Sequence, residues 1–255
     1  MIKILKKFYS LFSQFVYLAQ TYAPINVLYC FFSKIKHRRP HSKYQQQLRD
    51  FEKTKLNLKL SNDWFSQNIP NWLSVIDEYG LRSIDIKALE IGSWEGLSSF
   101  FILSEMPNAE LTCVDTWEGA DEHKDGSTVS NKVLSQIEQN FDNNMSKFSS
   151  RLTKYKGTSF SFFSKNNLRC HYDFIYVDGS HHIDDVIIDA LKCFEMLKVG
   201  GIMVFDDYFW KYYQRAIDNP AAAINLFLSA KLGHYKIIRL NYQIIIIKTK
   251  DRYSQ

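Results

Sequence analysis

Residues 172–207 read YDFIYVDGSHHIDDVIIDALKCFEMLKVGGIMVFDD, and this stretch predicts a complete strand–helix–strand unit. The runs at 172–178 and 200–207 are short and apolar, as is typical of buried strands. Between them, residues 184–198 repeat apolar side chains at the spacing of one helix face. Two such strands joined by a helix form a right-handed parallel unit, so the stretch predicts an α/β fold.

The same alternation of apolar runs and amphipathic segments extends over the rest of the chain from about Ser61. Further strands are predicted at 86–91, 110–115 and 151–157. Near the C-terminus, the runs at 235–240 and 242–249 are separated by Asn241 alone, which is too short for a parallel crossover. We therefore expect a Rossmann-like, doubly wound, mostly parallel seven-stranded sheet that ends in an antiparallel hairpin.

The net charge of +5 is distributed unevenly along the chain. Residues 1–60 contain 12 Lys and Arg against only Asp50 and Glu52, whereas residues 61–255 contain 20 basic and 25 acidic side chains. A basic character confined to one segment argues against a general nucleic-acid-binding face. The composition predicts a basic N-terminal region, 1–60, and one globular domain, 61–255.

The first 40 residues contain an apolar segment without a clear membrane-spanning pattern. No charge occurs between Lys7 and Lys34, but Ser, Thr, Gln, Asn and Pro interrupt this span. Its first part has apolar residues at helical spacing, which fits a helix on an anionic membrane surface, on the main domain or on a second subunit. The interrupted run and the lack of a small-residue cleavage site do not favour a secretory signal. Our working hypothesis is peripheral membrane contact through residues 1–40.

The four cysteines lie far apart and form no C-x-x-C pair. They are Cys30, Cys113, Cys170 and Cys193. Two of them sit inside apolar runs, where a free thiol packs as a small hydrophobic group. This pattern predicts a reducing compartment and no structural zinc, so we expect a cytoplasmic protein that contacts the inner membrane surface.

A glycine-bearing turn follows the first predicted strand in the segment LEIGSWEGLSS, residues 89–99. Gly92 and Gly96 remove side chains where a ligand approaches the backbone, and the lack of a full G-x-G-x-x-G disfavours a dinucleotide. The next strand ends in Asp115, at the distance where an acidic residue binds both hydroxyls of a ribose. The two features together indicate a nucleoside-containing cofactor.

From about Trp64 to Lys248 the chain resembles the class I S-adenosylmethionine-dependent methyltransferases. The resemblance rests on Glu90, Gly92, Gly96, Asp115 and the segments VDGSHH and KVGGIMVFDDY. More narrowly, DTWEGADEH, DGSHHIDDVIIDALK, DDYFW and YQIIIIK resemble metal-dependent small-molecule and sugar O-methyltransferases, related to the catechol and macrocin types. The segment KVGG departs from the family, which usually has proline before the two glycines.

The resemblance implies a binding site for S-adenosylmethionine at the first two strand ends. By this resemblance, the methionine part of the cofactor would be lined by Glu90, Gly92, Ser93 and Gly96. Its ribose would be held by Asp115, and its adenosine would be flanked by Thr116, Trp117 and Ser159.

Three acids follow two predicted strands that should be neighbours. Asp178 ends the fourth strand, and Asp206 and Asp207 end the fifth. Neighbouring strand ends lie roughly 5 Å apart, so these carboxylates should converge and repel one another unless a cation is bound. Hard oxygen ligands favour Mg²⁺ over Mn²⁺ or Ca²⁺ and disfavour zinc. The three acids therefore predict a metal site in which the cation binds and acidifies a substrate hydroxyl.

His181 and His182 are the candidates for a catalytic base. By the resemblance, His181 occupies the place where catechol-type relatives carry a lysine base and some sugar-type relatives a histidine. A neutral imidazole near pH 7 is well matched to accept a hydroxyl proton. His182 is the alternative, although it could instead begin the following helix. His123 either reaches the cofactor or substrate or lies on a solvated loop.

These residues predict a magnesium-dependent O-methyltransferase that methylates a hydroxyl of a small molecule, with a sugar unit as the expected acceptor. Tyr208, Trp210 and the loop 211–220 would close over that acceptor. Two alternatives stay open: a non-catalytic S-adenosylmethionine-binding protein docked on a membrane-bound glycan assembly, and metal-independent methylation of another nucleophile such as nitrogen. The sequence is also compatible with a homo-oligomer.

Overall fold

The protein is described by a computed structural model that covers residues 2–21, 43–124, 126 and 129–251. Features predicted on residues 22–42, including Cys30 and the second part of the charge-free span, lie outside the described residues. The helices are α1 Ile2–Gln20, α2 Gln45–Lys55, α3 Ile69–Glu78, α4 Leu97–Glu105, α5 Asp121–Lys124, α6 Asn131–Leu134, α7 Ile137–Met145, α8 Ser159–Lys165, α9 Ile183–Met196 and α10 Pro220–Ala230. The strands are β1 Ile86–Ile91, β2 Ala109–Asp115, β3 Leu152–Lys156, β4 Tyr172–Val177, β5 Leu197–Phe205, β6 Tyr235–Leu240 and β7 Ile244–Lys248.

The seven strands form one sheet in the order β3-β2-β1-β4-β5-β7-β6. Strands β1 to β5 pair in parallel, whereas β7 pairs antiparallel with both β5 and β6. The predicted architecture, including its C-terminal hairpin, is therefore confirmed. The strand order reverses between β1 and β4, and an open α/β sheet of this kind binds ligands beyond the strand ends at such a switch point.

Both faces of the sheet are buried, because alternate residues of the central strands enter two apolar cores. On one face Ala88, Phe174 and Tyr176 pack with side chains of α2, α3, α4 and α7. On the other face Leu89 and Ile175 pack with side chains of α1, α8, α9 and α10. Burial on both faces explains why the parallel strands read as continuous apolar runs.

The described parts of the basic N-terminal region pack on the same domain. Phe51 of α2 is buried, with its ring centroid 5.3 Å from that of Phe101. At the predicted boundary, the backbone N–H of Ser61 donates to Oε2 of the buried Glu95 at 2.6 Å. In the described ranges no helix has both the length and the apolar character needed to cross a bilayer. The division at residue 60 stays a prediction.

Gly92 is the point of closest approach between the turn after β1 and the end of β4. Its φ is +84°, and a Cβ added there would lie 1.9 Å from the carbonyl oxygen of Asp178. That contact is with backbone, so no side-chain rotation could relieve it. Glycine at this position therefore lets the two strand ends meet at the switch point.

We expect Gly92→Ala to destabilise the protein by more than about 3 kcal/mol, because it combines a positive φ with a backbone collision. Gly80→Ala is the matched control, since Gly80 has a φ of +63° but no atom within 4 Å of an added Cβ. The control should lose only about 1 kcal/mol. Urea denaturation measures both variants, and equal losses would contradict the proposed role of the close approach.

Candidate active site

A cavity of about 800 Å³ opens at the carboxyl ends of the central strands. Its walls include Gly92 after β1, Asp115 at the end of β2, Asp178 after β4 and Asp207 after β5. The volume falls within the range of small-molecule and cofactor sites. The predicted cofactor end and the predicted acidic end of the sheet therefore share one cavity.

Asp115 shapes the turn that follows β1. Its Oδ2 accepts hydrogen bonds from the backbone N–H groups of Ser93 and Trp94 at 2.8 and 2.9 Å, and its Oδ1 accepts one from Trp117 at 2.7 Å. Each carboxylate oxygen can accept more than one hydrogen bond, so the side chain can also bind a ligand in the cavity that it lines. The predicted contact of Asp115 with a ribose stays a prediction.

Five of the eight predicted cofactor-binding residues line this cavity. They are Gly92, Ser93, Asp115, Thr116 and Ser159. The other three predicted residues, Glu90, Gly96 and Trp117, do not line the cavity. Each of them makes other contacts in the folded domain.

Glu90 points into the core because strand residues alternate between the two faces of the sheet. It lies on the face covered by α4, is fully buried, and accepts a hydrogen bond from Ser99 Oγ. Burial raises the pKa of its carboxyl group. Glu90 lies behind the cavity wall, and its predicted contact with the methionine part of the cofactor stays a prediction.

Gly96 and Trp117 serve packing in this structure. Gly96 is the N-cap of α4 with a φ of +82°, and an added Cβ would lie 3.0 Å from the ring of Phe141. The indole Nε1 of Trp117 donates to the carbonyl of Trp94 at 2.8 Å, while its ring packs on Phe141. Both residues lie against Phe141 and thereby stabilise the turns beside the cavity.

Asp178, His181 and Asp207 come together at the acidic end of the cavity. Nε2 of His181 lies 2.7 Å from Oδ2 of Asp207 and 3.9 Å from Oδ1 of Asp178. One potential ligand atom from each residue lies within 4.8 Å of the other two. Nδ1 of the same imidazole contacts Oε1 of Glu122. One histidine thus lies among three carboxyl groups.

This arrangement separates the pKa values of the groups. Burial would lower the pKa of His181, but the surrounding carboxyl groups outweigh it and raise the pKa well above its usual value. Burial raises the pKa of Asp178 to about 6, with the nearby Asp207 contributing. Burial would also raise the pKa of Asp207, yet its contact with His181 lowers it. The site therefore holds a proton on His181 when no other cation is present.

Asp206, the third predicted metal ligand, lines the same cavity, but its carboxyl group is not part of this cluster. Its Oδ1 accepts the backbone N–H of Asp207 at 2.7 Å, and its Oδ2 contacts Tyr176 Oη and accepts from Gln243 Nε2 at 2.8 Å. Asp207 has a φ of +57°, a left-handed conformation that is uncommon for non-glycine residues and turns the chain at this point. Consecutive carboxyl groups consequently face in different directions.

The two other candidate histidines are placed away from the acidic group. His182 is the N-cap of α9, and its Nδ1 accepts the backbone N–H of Asp184 at 3.4 Å. Nδ1 of His123 accepts the backbone N–H of Ala120 at 3.0 Å, and its ring stacks on Trp64. His123 lines the cavity, so it lies beside a ligand site as well as on a loop.

Glu122, Tyr176 and Gln243 take part in the site but were not predicted from the sequence. Glu122 precedes the histidine that was singled out in the segment DEH, and a helical turn in α5 brings it to His181. Tyr176 lies in the apolar run 172–178, which predicts a buried strand and gives no sign of a polar role. It is two positions before Asp178, so both side chains lie on the same face of the strand. Gln243 carried no signal, because its contact with Asp206 spans 37 positions.

Aromatic rings border the acidic group. The ring of Trp210 packs against His181 with centroids 4.5 Å apart, and Tyr212 stacks on Trp210 at 5.6 Å. Trp210 lines the cavity, whereas Tyr208 and residues 211–220 do not, so closure over an acceptor stays a prediction. The apolar ring shields the imidazole from solvent on that side.

Asp189 of α9 is a buried acid that also lines the cavity. Its carboxyl group lies close to Gly179, since a Cβ built on this glycine would be 3.5 Å from Oδ2 of Asp189. Oδ1 of Asp189 has no hydrogen-bond partner among the described residues. Burial raises its pKa to about 7. A carboxyl group in this state can donate or accept a hydrogen bond to a ligand.

Asp189→Asn should change how stability depends on pH. The folded protein holds this proton more tightly than the unfolded chain, so the stabilisation is full below about pH 4 and is lost as the pH rises through 7. The stability of the variant relative to wild type should therefore increase between about pH 4 and pH 8, by at most about 4 kcal/mol. Urea denaturation across this range tests it, with the exposed Asp85→Asn as control, and parallel curves for wild type and Asp189→Asn would contradict the expectation.

Comparison with known proteins agrees with this geometry. Residues 89–208 match the family model described as a methyltransferase domain. No curated protein matches the sequence significantly. The matched segment is just under half of the chain, and solved methyltransferase structures share its fold.

Solved structures of the same fold include three methyltransferases with bound S-adenosylhomocysteine (SAH). MycE from the mycinamycin biosynthetic pathway, in complex with Mg, SAH and mycinamycin VI, is 15% identical with a TM-score of 0.54, over 82% of this chain and 56% of that chain. An O-methyltransferase from Bacillus cereus in complex with SAH is 12% identical with a TM-score of 0.50, over 80% and 91%. SAH-bound PaMTH1 from Podospora anserina is 15% identical with a TM-score of 0.50, over 80% and 88%. This chain thus spans little more than half the length of MycE.

Proposed function

We propose that this methyltransferase transfers the methyl group of S-adenosylmethionine to a hydroxyl group of a small molecule, with a divalent cation held by Asp178 and Asp207. In this proposal His181 is the base and a sugar unit is the acceptor. The observation that carries the proposal is the meeting of these three side chains in the cavity that Gly92 and Asp115 also line.

The donor set fits a hard divalent cation. Asp178 and Asp207 offer carboxylate oxygens, and Mg²⁺ is commonly bound by one or two carboxylates together with waters and substrate oxygens. The pKa of Asp178 is raised by its burial and by the charge of Asp207, so a cation would relieve an existing repulsion. When bound, it would supply Lewis-acid stabilisation of the acceptor oxygen as that oxygen loses its proton.

Asp206, predicted as a ligand, has a positioning role in this proposal. It accepts the backbone N–H of Asp207, and it contacts Tyr176, whose hydroxyl group donates to Oδ2 of Asp178 at 2.8 Å. The inward carboxyl group is thereby connected to both outward ones. Its burial and the neighbouring carboxylates raise its pKa well above the usual value, which suits a protonated structural acid.

His181 is suited to accept the hydroxyl proton through one defined nitrogen. Glu122 contacts Nδ1, so an Nδ1–H donating to this carboxylate leaves the Nε2 lone pair directed at the acidic group. A divalent charge at Asp178 and Asp207 would lower the pKa of the imidazole and so free Nε2 of its proton. Trp210 packs on the ring and limits its exchange with solvent.

The aromatic border supports a sugar unit as acceptor. Trp210 lines the cavity and places an apolar ring next to the acidic group, while His181 and the carboxylates offer polar contacts. A pyranose also combines apolar C–H faces with hydroxyl groups, so it can use both. The cavity is large enough to hold such an acceptor together with a cofactor.

The proposed reaction is tested by labelled methyl transfer from S-adenosylmethionine to a panel of glycosides, catechols and amines, with Mg²⁺ or with EDTA. We expect O-methylated glycosides in Mg²⁺ and loss of turnover in EDTA. Asp178→Ala should lower turnover by at least about 100-fold, since the acceptor oxygen is no longer aligned, and should keep cofactor affinity by calorimetry. Asp85→Ala is the control. Full activity of Asp178→Ala or in EDTA, or transfer to amines alone, would contradict the proposal.

His181→Gln separates the role of base from that of metal ligand. If His181 accepts the proton, kcat should fall by about 100-fold or more, while Mg²⁺ affinity measured by calorimetry changes only a few-fold. His182→Gln is the matched control and should retain activity, because His182 caps α9. A collapse of Mg²⁺ affinity in His181→Gln would assign the imidazole to the cation instead.

A further inference from the structure

The C-terminal end of α1 is fixed to the methyltransferase domain. Tyr17, Leu18 and Thr21 are fully or almost fully buried. The hydroxyl group of Tyr17 donates to the carbonyl of Trp210 at 3.1 Å, and Nδ2 of Asn225 donates to the carbonyl of Thr21 at 3.0 Å. This end of the helix is therefore part of the folded domain and has a defined orientation.

The opposite side of α1 is apolar and exposed. Tyr9 is 76% exposed, Phe12 61%, Phe15 46% and Val16 39%. At about 100° per residue, Tyr17 and Leu18 lie roughly 140° and 120° from Phe12 around the helix axis, on either side of the far face. The exposed apolar face thus points away from the domain rather than towards a core.

Charge distinguishes the partners that could cover this face. The chain has no acidic residue before Asp50, and residues 1–39 contain seven Lys and Arg. Lys6 of α1 is exposed. A second copy that packed its own α1 here would bring two strongly basic regions together, which is unfavourable, whereas an anionic lipid surface attracts them.

The length and composition of α1 favour a position along the surface. No described helix has the length and apolar character to span a bilayer. An amphipathic helix with exposed aromatic residues and basic flanks binds at the level of the lipid headgroups, where its rings enter the acyl boundary and its lysines contact phosphates. Exposed rings fixed on a rigid domain also lose little conformational freedom on binding.

We propose that α1 binds the surface of a membrane rich in anionic lipids through Tyr9, Phe12, Phe15 and Val16. The contact lies beside the cavity, because Tyr17 on the opposite side of α1 bonds the backbone of Trp210 and Nζ of Lys211 lies 4.2 Å from the Tyr17 ring centroid. Binding is independent of the methyl-transfer proposal, since it requires neither acceptor nor metal.

Sedimentation of the full chain with phospholipid vesicles tests this proposal. Wild type is expected to bind vesicles of phosphatidylcholine with phosphatidylglycerol, to bind pure phosphatidylcholine much more weakly, and to dissociate as salt is raised. Phe12→Ser combined with Phe15→Ser should weaken binding by at least about 10-fold. Leu56→Ser combined with Leu232→Ser is the matched control, because these leucines are 83% and 79% exposed elsewhere, and it should bind like wild type.

Folding and self-association are followed in parallel. Because both phenylalanines are exposed, the variant should keep the wild-type thermal midpoint and its affinity for S-adenosylmethionine. Lys6→Glu, which leaves the apolar face intact, should also weaken binding to anionic vesicles. The proposal is overturned if wild type does not bind anionic vesicles, or if the Phe12→Ser, Phe15→Ser variant binds as well as wild type. It is also overturned if sedimentation velocity shows a dimer that these substitutions dissociate while vesicle binding is absent.

Discussion

A buried chain of hydrogen bonds holds the carboxyl ends of the central strands in place. Trp72 Nε1 donates to Gln243, Gln243 donates to Asp206, and Tyr176 connects Asp206 with Asp178. The chain joins α3, β4, β5 and the residue before β7. Each buried group that loses its partner costs about 1–3 kcal/mol, and such networks act as a unit. The positions of the cavity acids therefore depend on Trp72, Tyr176 and Gln243, which do not line the cavity.

The same network explains how several acids can coexist at one edge of the sheet. Burial raises the pKa of Asp178 and Asp206, whereas the contact with His181 lowers the pKa of Asp207 and of Glu122 against the effect of burial. Environments that push the pKa values of neighbouring groups apart assign different protonation states to them. A protonated inner acid and ionised outer acids give a site that attracts positive charge without losing its geometry.

Much of the fold was predictable because its signals are local, whereas the site depends partly on distant contacts. The apolar run 86–91 and the hairpin around Asn241 correspond closely to observed elements. Alternation carries no polar signal for Glu90, because both faces of the sheet are buried there. The different directions of Asp206 and Asp207 follow from a positive φ that no propensity indicates. Local sequence patterns thus predict which edge of the sheet carries the site. Which side chains face the cavity depends on tertiary contacts that these patterns do not show.

The N-terminal helix α1 contacts the loop around Trp210, which borders the cavity. The hydroxyl group of Tyr17 in α1 donates a hydrogen bond to the carbonyl of Trp210, whose ring packs on His181. A displacement of α1 would therefore also shift the residues around the proposed base. The distribution of charge along the chain also favours one orientation of the protein at an anionic surface. Residues 1–39 contain seven Lys and Arg and no acidic side chain, while residues 61–255 have an excess of acidic side chains. Near an anionic surface the first region is attracted and the second repelled. Such a charge distribution would hold α1 against the lipid, with the loop around Trp210 beside it and the bulk of the domain directed away.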